Sequence, residues 1–302
     1  MLINFKQVEI SDKTWIDPLL KAVDSRACHL NFTNIFTWSE LYKYKVAKVK
    51  DFLLVKGSYK DTRYYFYPIG SGDVFEALEM LKQDAAANGH PFLMLGISAE
   101  DVKVLHELYP GKFSIEEMRD SFDYLYFIEK LVHLKGNKLH SKRNHINRFL
   151  KEYEDWRFEI LTTANLAECQ EMNDQWCREN NCNDDELLKQ EKCVVSRCFK
   201  YYDALGLEGG LLRVNGKVVA YTIGEKLNSD TYDIHIEKAF SSIHGAYQMI
   251  NREFAAYIHQ KYPEVVYINR EEDMGYEGLR KAKLSYKPDI MVEKYRAIYL
   301  DS

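Results

Sequence analysis

The sequence predicts an α+β protein with mixed sheets, folded as two tandem domains. A chain of 302 residues, 46% apolar and 14% aromatic, carries enough nonpolar material for two cores. Along it, runs with strand character repeatedly give way to runs with helical spacing. The second half also holds three strand-like runs in succession, two of them joined at Asn215-Gly216, the strongest short hairpin signal in the chain. The domain boundary is read near residue 130, giving a first domain of residues 1–130 and a second of residues 131–302.

In the first domain FLLVKG and YYFYPIG flank a turn rich in Gly, Ser, Lys and Asp and read as a hairpin. Asp73 precedes a helix with Glu76 three residues on, a capping box, and Gly89 as its stop. Val74, Leu78, Leu81 and Ala85 form its inward stripe. PFLMLGIS reads as a buried strand, Ser98 opens a short helix ending near Pro110-Gly111, and SFDYLYFIEK closes this half as a strand. The aromatics Phe32, Phe36, Trp38, Tyr42 and Tyr44 read as core. In the second domain FEILTT is a strand, and NLAECQEMNDQWC and ELLKQEKCVVSRCFKYYDAL are helices. GGLLRVNGKVVAYTIGEKL and TYDIHIEKAF then give a three-stranded antiparallel meander. The helix AYQMINREFAAYIHQKY, the strand VVYINREE, the helix EGLRKAKLSY and the strand PDIMVEKYRAIYL follow. A meander followed by α, β, α, β is the order of the GNAT-like (acyl-CoA N-acyltransferase) fold, in which two central strands splay to admit a substrate.

Composition narrows the function classes. The opening MLINFKQVEI has charged and polar residues where a signal peptide needs an apolar run, and no stretch approaches the roughly 18 apolar residues that span a bilayer. A cytoplasmic location is expected, where six reduced cysteines are tolerated. Cys177, Cys182, Cys193 and Cys198 form two C-x4-C pairs, but their flanks read as amphipathic helices without the tight turns of a zinc knuckle. Buried thiols are expected there, and no metal site.

The net charge of −5 conceals a cationic island. Leu131 to Lys151 contains six Lys/Arg, three His and no Asp or Glu, leaving 35 basic against 46 acidic residues elsewhere. Leu139, Ile146, Phe149, Leu150 and Tyr153 fall at helical spacing and form an inward stripe. Lys138, Lys142, Arg143, Asn144 and Arg148 lie outside that stripe. Such a face suits phosphates, because Arg makes bidentate contacts and Lys a mobile point charge. A tRNA acceptor stem, a CoA diphosphate or a lipid headgroup each fit; a solvated helix paired with acids elsewhere is the plain alternative.

The helix EGLRKAKLSY holds the second candidate site. Leu279, Ala282 and Tyr286 are expected inward, with Arg280, Lys283 and Lys287 as a cationic ridge beside them. Cations near a helix start are unfavourable unless an anion is present, and a carbonyl oxygen becoming an oxyanion would be one. Lys283 or Arg280 would stabilise it and Asp273 would orient a cation or the nucleophile; an Asp273–Arg280 ion pair that only fixes the loop is the alternative. Glu237, with His235 beside it by period-two alternation, is placed near the splay as a candidate base, and His244 lies in the following loop. That loop, SSIHGAYQMIN, stands where acetyltransferases of this fold cradle the CoA pyrophosphate. Of the small residues such a cradle needs, Gly245 is present, but Tyr247 takes the last position.

Four stretches, NFTNIFTWSELY (31–42), YYFYPIGSGD (64–73), LKGNKLHSKRNHINRF (134–149) and NREEDMGYEGLRKAKLSYKP (269–288), together resemble the signature segments of one family. It is the soluble C-terminal domain family of bacterial phosphatidylglycerol lysyltransferases, and the resemblance spans nearly the whole chain. It implies two tandem GNAT-like domains, similar to the Fem-type peptidoglycan aminoacyl transferases, an aminoacyl-tRNA donor and, in the best-known members, a membrane-lipid acceptor. This sequence lacks the membrane-embedded N-terminal region of the lipid-modifying members, so a lipid headgroup would be reached from solution. The expectation is an aminoacyl transferase without a tightly bound cofactor, moving an aminoacyl group from charged tRNA to an amine or hydroxyl of a small-molecule, peptide or lipid-headgroup acceptor. Lys142, Arg143 and Arg148 would hold donor phosphates, while Lys283 and Arg280 stabilise the transition state. The degraded cradle ranks acyl-CoA second as donor. A non-catalytic tRNA- or nucleotide-binding module of the same fold is the third reading.

Overall fold

The structure, a computed structural model, describes residues 3–300. The chain forms two compact units, one of residues up to Asp123 with Glu272–Tyr276 and the segment from Val292, the other of Tyr124–Glu271 with Glu277–Met291. In the first unit β1 (Lys6–Gln7), α1 (Lys13–Val23) and α2 (Phe32–Thr37) precede the strands β2 (Lys45–Val49), β3 (Phe52–Tyr59), β4 (Thr62–Tyr65) and β5 (Ile69–Gly70). Then come α3 (Val74–Ala87), β6 (Leu93–Ile97), α4 (Ala99–Leu108) and β7 (Phe113–Glu117). β3 and β4 form the expected hairpin. Asp73 caps α3 by accepting from the N–H groups of Phe75 and Glu76. Glu76 pairs with Lys50 instead of completing a capping box. Leu54, Tyr65, Leu78, Leu81 and Met94 fill the core, and Phe32 and Phe36 of the aromatic stretch are buried as expected.

The second unit holds β8 (Asp123–Phe127), α5 (Ile128–His133), α6 (His140–Glu152), β9 (Arg157–Ile160), α7 (Leu166–Glu179), α8 (Glu186–Lys200) and α9 (Tyr202–Leu205). The meander β10 (Glu208–Val214), β11 (Lys217–Lys226) and β12 (Thr231–Ala239) follows, then α10 (Ala246–Lys261), β13 (Tyr267–Asn269), α11 (Glu277–Leu284) and β14 (Ile290–Val292). Asn215 and Gly216 both adopt positive φ, 49° and 73°, as a tight hairpin between right-twisting strands requires. The sheet runs β14-β8-β13-β12-β11-β10-β9. β12 and β13 are parallel and their neighbours antiparallel along the meander, so the sheet is mixed, as predicted.

Two strands are not where sequence reading puts them. β8, expected to close the first half, lies in the second unit's sheet between β13 and β14. The final run is broken at Glu293-Lys294, and its last part, β15 (Tyr295–Tyr299), sits between β6 and β7 in the first unit's sheet. Residues 124–130 thus belong to the second unit and residues from 292 to the first, which displaces the boundary read at 130. The Lys294 ammonium lies 2.7 Å from the Asp123 carboxylate, both side chains almost fully buried. The Cys28 N–H donates to the same carboxylate at 2.8 Å. Burial opposes both charges, yet their mutual attraction holds Asp123 below and Lys294 above their ordinary ranges.

Removing one partner of such a pair strands a buried charge. Lys294→Met is expected to lower the unfolding free energy by about 3–5 kcal/mol, and Lys294→Met with Asp123→Asn to recover most of it. Denaturant titration of the single and double variants checks this; a single variant as stable as the parent would contradict it.

Candidate functional site

The site begins where two strands part. β12 and β13 pair in parallel over three positions, Thr231–Tyr267, Tyr232–Ile268 and Asp233–Asn269. β13 then ends, while β12 runs on to Ala239. A register shift against β11 falls at His235, which leaves that residue without a partner between Ile234, opposite Gly224, and Ile236, opposite Ile223. Such a bulge resets the two-residue alternation. Gly224 permits it, since a Cβ there would lie 2.1 Å from the Asp233 carbonyl oxygen. Ile234 and Glu237 consequently line one cavity, together with Leu131 of α5, Asn251, Phe254 and Ala255 of α10, and Ile268 of β13. Its volume is about 10 Å³, room for about one water-sized group.

Three polar side chains meet at Glu237. Arg270, in the first position after β13, donates from Nη2 to Glu237 Oε1 at 2.8 Å. Asn251 donates from Nδ2 to Glu237 Oε2 at 3.0 Å. The guanidinium lies over the Tyr286 ring at 4.9 Å and the Tyr126 ring at 5.8 Å. Burial works against its charge, but Glu237 more than offsets this and keeps Arg270 firmly protonated. Lys142 reaches the same Tyr286 ring from α6, 4.2 Å from its centroid. Burial, followed by the proximity of Arg270, pushes the Lys142 ammonium below its ordinary range. Two polar atoms of the group, Arg270 Nη1 and Asn251 Oδ1, are buried with no hydrogen-bond partner among the described residues. The arrangement leaves one buried donor and one buried acceptor unpartnered, around a carboxylate that fixes both.

Two further contacts hold this loop in place. Lys283 Nζ donates to the carbonyl oxygens of Arg270 at 2.5 Å and Glu271 at 3.1 Å. His235 lies between carboxylates, 3.1 Å from Glu225 and 2.9 Å from Glu271, with Asp233 at 3.7 Å. Burial lowers the affinity of that imidazole for a proton, but the surrounding carboxylates outweigh it and raise the His235 pKa well above the ordinary value. The carboxylates thus favour its imidazolium form. Asp233, His235 and Glu271 also have metal-ligand spacing.

Residues 20–298 match the family model described as phosphatidylglycerol lysyltransferase, C-terminal. The chain belongs to this family. A solved structure of a conserved protein from Bacteroides thetaiotaomicron VPI-5482 is 41% identical, covers 99% of this chain and 100% of its own, and superposes with a TM-score of 0.93. The C-terminal domain of a protein assigned as a lysylphosphatidylglycerol synthetase from Agrobacterium fabrum is 14% identical with a TM-score of 0.69, over 96% of this chain and 92% of that one. A tandem GNAT protein from the clavulanic acid biosynthesis pathway, 8% identical, shares the fold at a TM-score of 0.52 over 99% of both chains. An uncharacterised protein of Mycoplasmoides gallisepticum is 27% identical over 208 residues, 67% of this chain and 62% of that protein's length. Family and fold together relate the chain to aminoacyl transferases, with two tandem GNAT-like domains.

The residues named from sequence are distributed unevenly over this family fold. Glu237 and Lys142 lie in or beside the buried group. Lys283, expected on a cationic ridge beside the inward residues, is itself buried, 7% accessible, while Leu279 and Ala282, expected inward, are exposed. The helix turns its lysine in because that ammonium satisfies two carbonyls beyond the end of β13. Arg280 is half-buried on α11. Asp273 is buried in the first unit, where Arg119 at 3.3 Å and the Gly275 N–H at 2.9 Å bind it. Of the island, Arg143 donates to the carbonyls of Leu134 and Gly136, and Arg148 pairs with Glu152 at 2.6 Å. Lys138 and Asn144 are exposed, as is Leu150, expected inward. Gly245 has φ of 81° and starts α10, but a Cβ there would lie 2.4 Å from the His145 carbonyl oxygen of α6. Tyr247 is half-buried near Ala239 and Trp176. His244 is exposed, 3.6 Å from Glu152. Among the cysteines Cys193 is exposed and Cys198 buried, its thiol pushed up to about 12 by burial, so the four do not share one environment. Arg270 and Asn251 were not singled out. Arg270 stands within NREED, and Asn251 is a single polar residue among the buried Met249, Ile250, Phe254 and Ala255.

A raised folded pKa stabilises below the unfolded value of about 6.5, and that stabilisation fades as pH climbs through the folded value. Replacing His235 by Gln is therefore expected to cost most below about pH 6.5 and progressively less as the pH rises above it. Unfolding free energies of both proteins at several pH values check it; a pH-independent difference would contradict the imidazolium assignment.

Proposed function

We propose that the chain is an aminoacyl transferase that moves an aminoacyl group from charged tRNA to an amine or hydroxyl acceptor, with the Arg270–Glu237–Asn251 group as its reaction centre. The observation that carries this reading is the buried, unspent Arg270 Nη1–H, held rigid by Glu237 and two aromatic rings where the strands part. The acceptor's nitrogen or oxygen attacks the ester carbonyl, the carbonyl oxygen gains negative charge, and the carbon–oxygen bond to the terminal ribose then breaks. The acceptor proton passes to the departing ribose oxygen. Arg270 meets the charge on the carbonyl oxygen, and Lys142, beside it on the Tyr286 ring, adds to the positive field. An aminoacyl ester is already activated, so positioning supplies much of the rate. Lys283 holds the backbone that aims Arg270 and is a positioning residue.

The choice of donor rests on α10 as well. Its first turn, where a CoA pyrophosphate would need open backbone N–H groups, faces the His145 carbonyl across Gly245 too closely to admit even a methyl group. Lys138 remains for donor phosphates, whereas Arg143 and Arg148 are engaged in contacts within the protein.

Single-turnover transfer from radiolabelled aminoacyl-tRNA, with candidate amines and alcohols in excess, tests this. Arg270→Gln is expected to lower the rate constant about 10²–10³-fold, the loss typical of one preorganised donor. Lys138→Gln should weaken donor binding and flatten its salt dependence without changing the rate at saturation. Full turnover by Arg270→Gln, or saturable CoA binding with acyl transfer and none from tRNA, would overturn the proposal.

A further inference from the structure

We infer that the cavity between β12, α5 and α10 is a subsite for a primary ammonium group. This rests on the transferase reading and names a chemical class that the subsite accepts. The cavity's polar lining is supplied by Glu237 and Asn251, and the remainder is hydrocarbon from Leu131, Ile234, Phe254 and Ile268. Asn251 is 5% accessible and donates its amide N–H to Glu237, which leaves its Oδ1 as a buried acceptor without a partner. The orientation of that amide is fixed, because turning it over would set an oxygen against the carboxylate. Each oxygen of Glu237 receives one hydrogen bond and keeps further acceptor capacity.

The cavity therefore offers acceptors, one of them anionic, within apolar walls and about 10 Å³ of space. An anion would be repelled by Glu237, and a methyl group would leave Asn251 Oδ1 unpaired. A protonated primary amine matches the size, the charge and the acceptors. The α-amine of an aminoacyl ester presents this chemistry. The amine could equally belong to the acceptor, so the chemistry is shared by two sources.

Binding of alanyl-tRNA, N-acetylalanyl-tRNA and deacylated tRNA to the full chain at one salt concentration, alongside alaninamide and N-acetylalaninamide alone, separates them. A donor amine predicts that acetylation weakens binding of the charged tRNA about 10- to 100-fold, the worth of a hydrogen bond to a charged group. An acceptor amine predicts equal binding of both charged tRNAs, with alaninamide binding and its acetylated form not. Either discrimination should vanish in Asn251→Leu. It should vanish too in Ala255→Val, which fills the cavity from its apolar side and serves if the first variant does not fold. Discrimination that survives both substitutions, or acetylation that changes neither measurement, overturns the inference. A protein that binds no tRNA but still separates the two amides would refute the transferase reading and keep the subsite.

Discussion

A guanidinium held between two diverging strands is the constraint around which the second unit is organised. Removing such a charge from water is costly, and its surroundings must repay it with a carboxylate, a second hydrogen bond to that carboxylate and two aromatic faces. Each of those partners comes from a different element: Glu237 from β12, Asn251 from α10, Tyr126 from β8, and Tyr286 from the turn after α11. The bulge at His235 is what lets Glu237 share a face with Ile234 and so reach the cavity. The imidazolium then ties β11 to the segment after β13 through Glu225 and Glu271. The centre is therefore rigid before any ligand arrives, the condition under which a donor stabilises developing charge without reorganising.

The same logic separates groups that hold structure from groups that remain available. Lys283, Arg143 and Lys294 are cations whose donors are directed at carbonyls or a carboxylate of the protein itself. Arg270 keeps one nitrogen unspent, and Lys142 has an aromatic face as its contact. Cationic residues in a motif are thus not equivalent, and burial together with hydrogen-bond accounting distinguishes them where charge counting does not.

Much of the fold was legible because it is encoded locally. The Asn215-Gly216 turn, the Asp73 cap and the apolar stripe of α10 each depend on a few neighbouring residues. The placement of β8 and β15 was not, since each pairs with strands distant along the chain, β8 with β13 and β15 with β6 and β7. The site was half legible. Glu237 and Lys142 could be found from pattern and charge, but a bulge has no local signature in TYDIHIEKAF, and period-two reasoning set His235 and Glu237 together. Lys283 was placed on a cationic ridge facing a developing oxyanion; two strand-end carbonyls take up its ammonium instead.

The central claim is that Arg270 and Glu237 recognise the ester end of a charged tRNA, while Lys138 at the entry to the basic helix serves the donor phosphates. Equilibrium binding of charged and deacylated tRNA to the parent protein and to Arg270→Gln, at one fixed salt concentration, tests it most directly. The account predicts that the parent prefers charged tRNA and that the variant loses this preference while binding deacylated tRNA as before. Equal affinity of the parent for both forms, or a preference that survives the substitution, would contradict it.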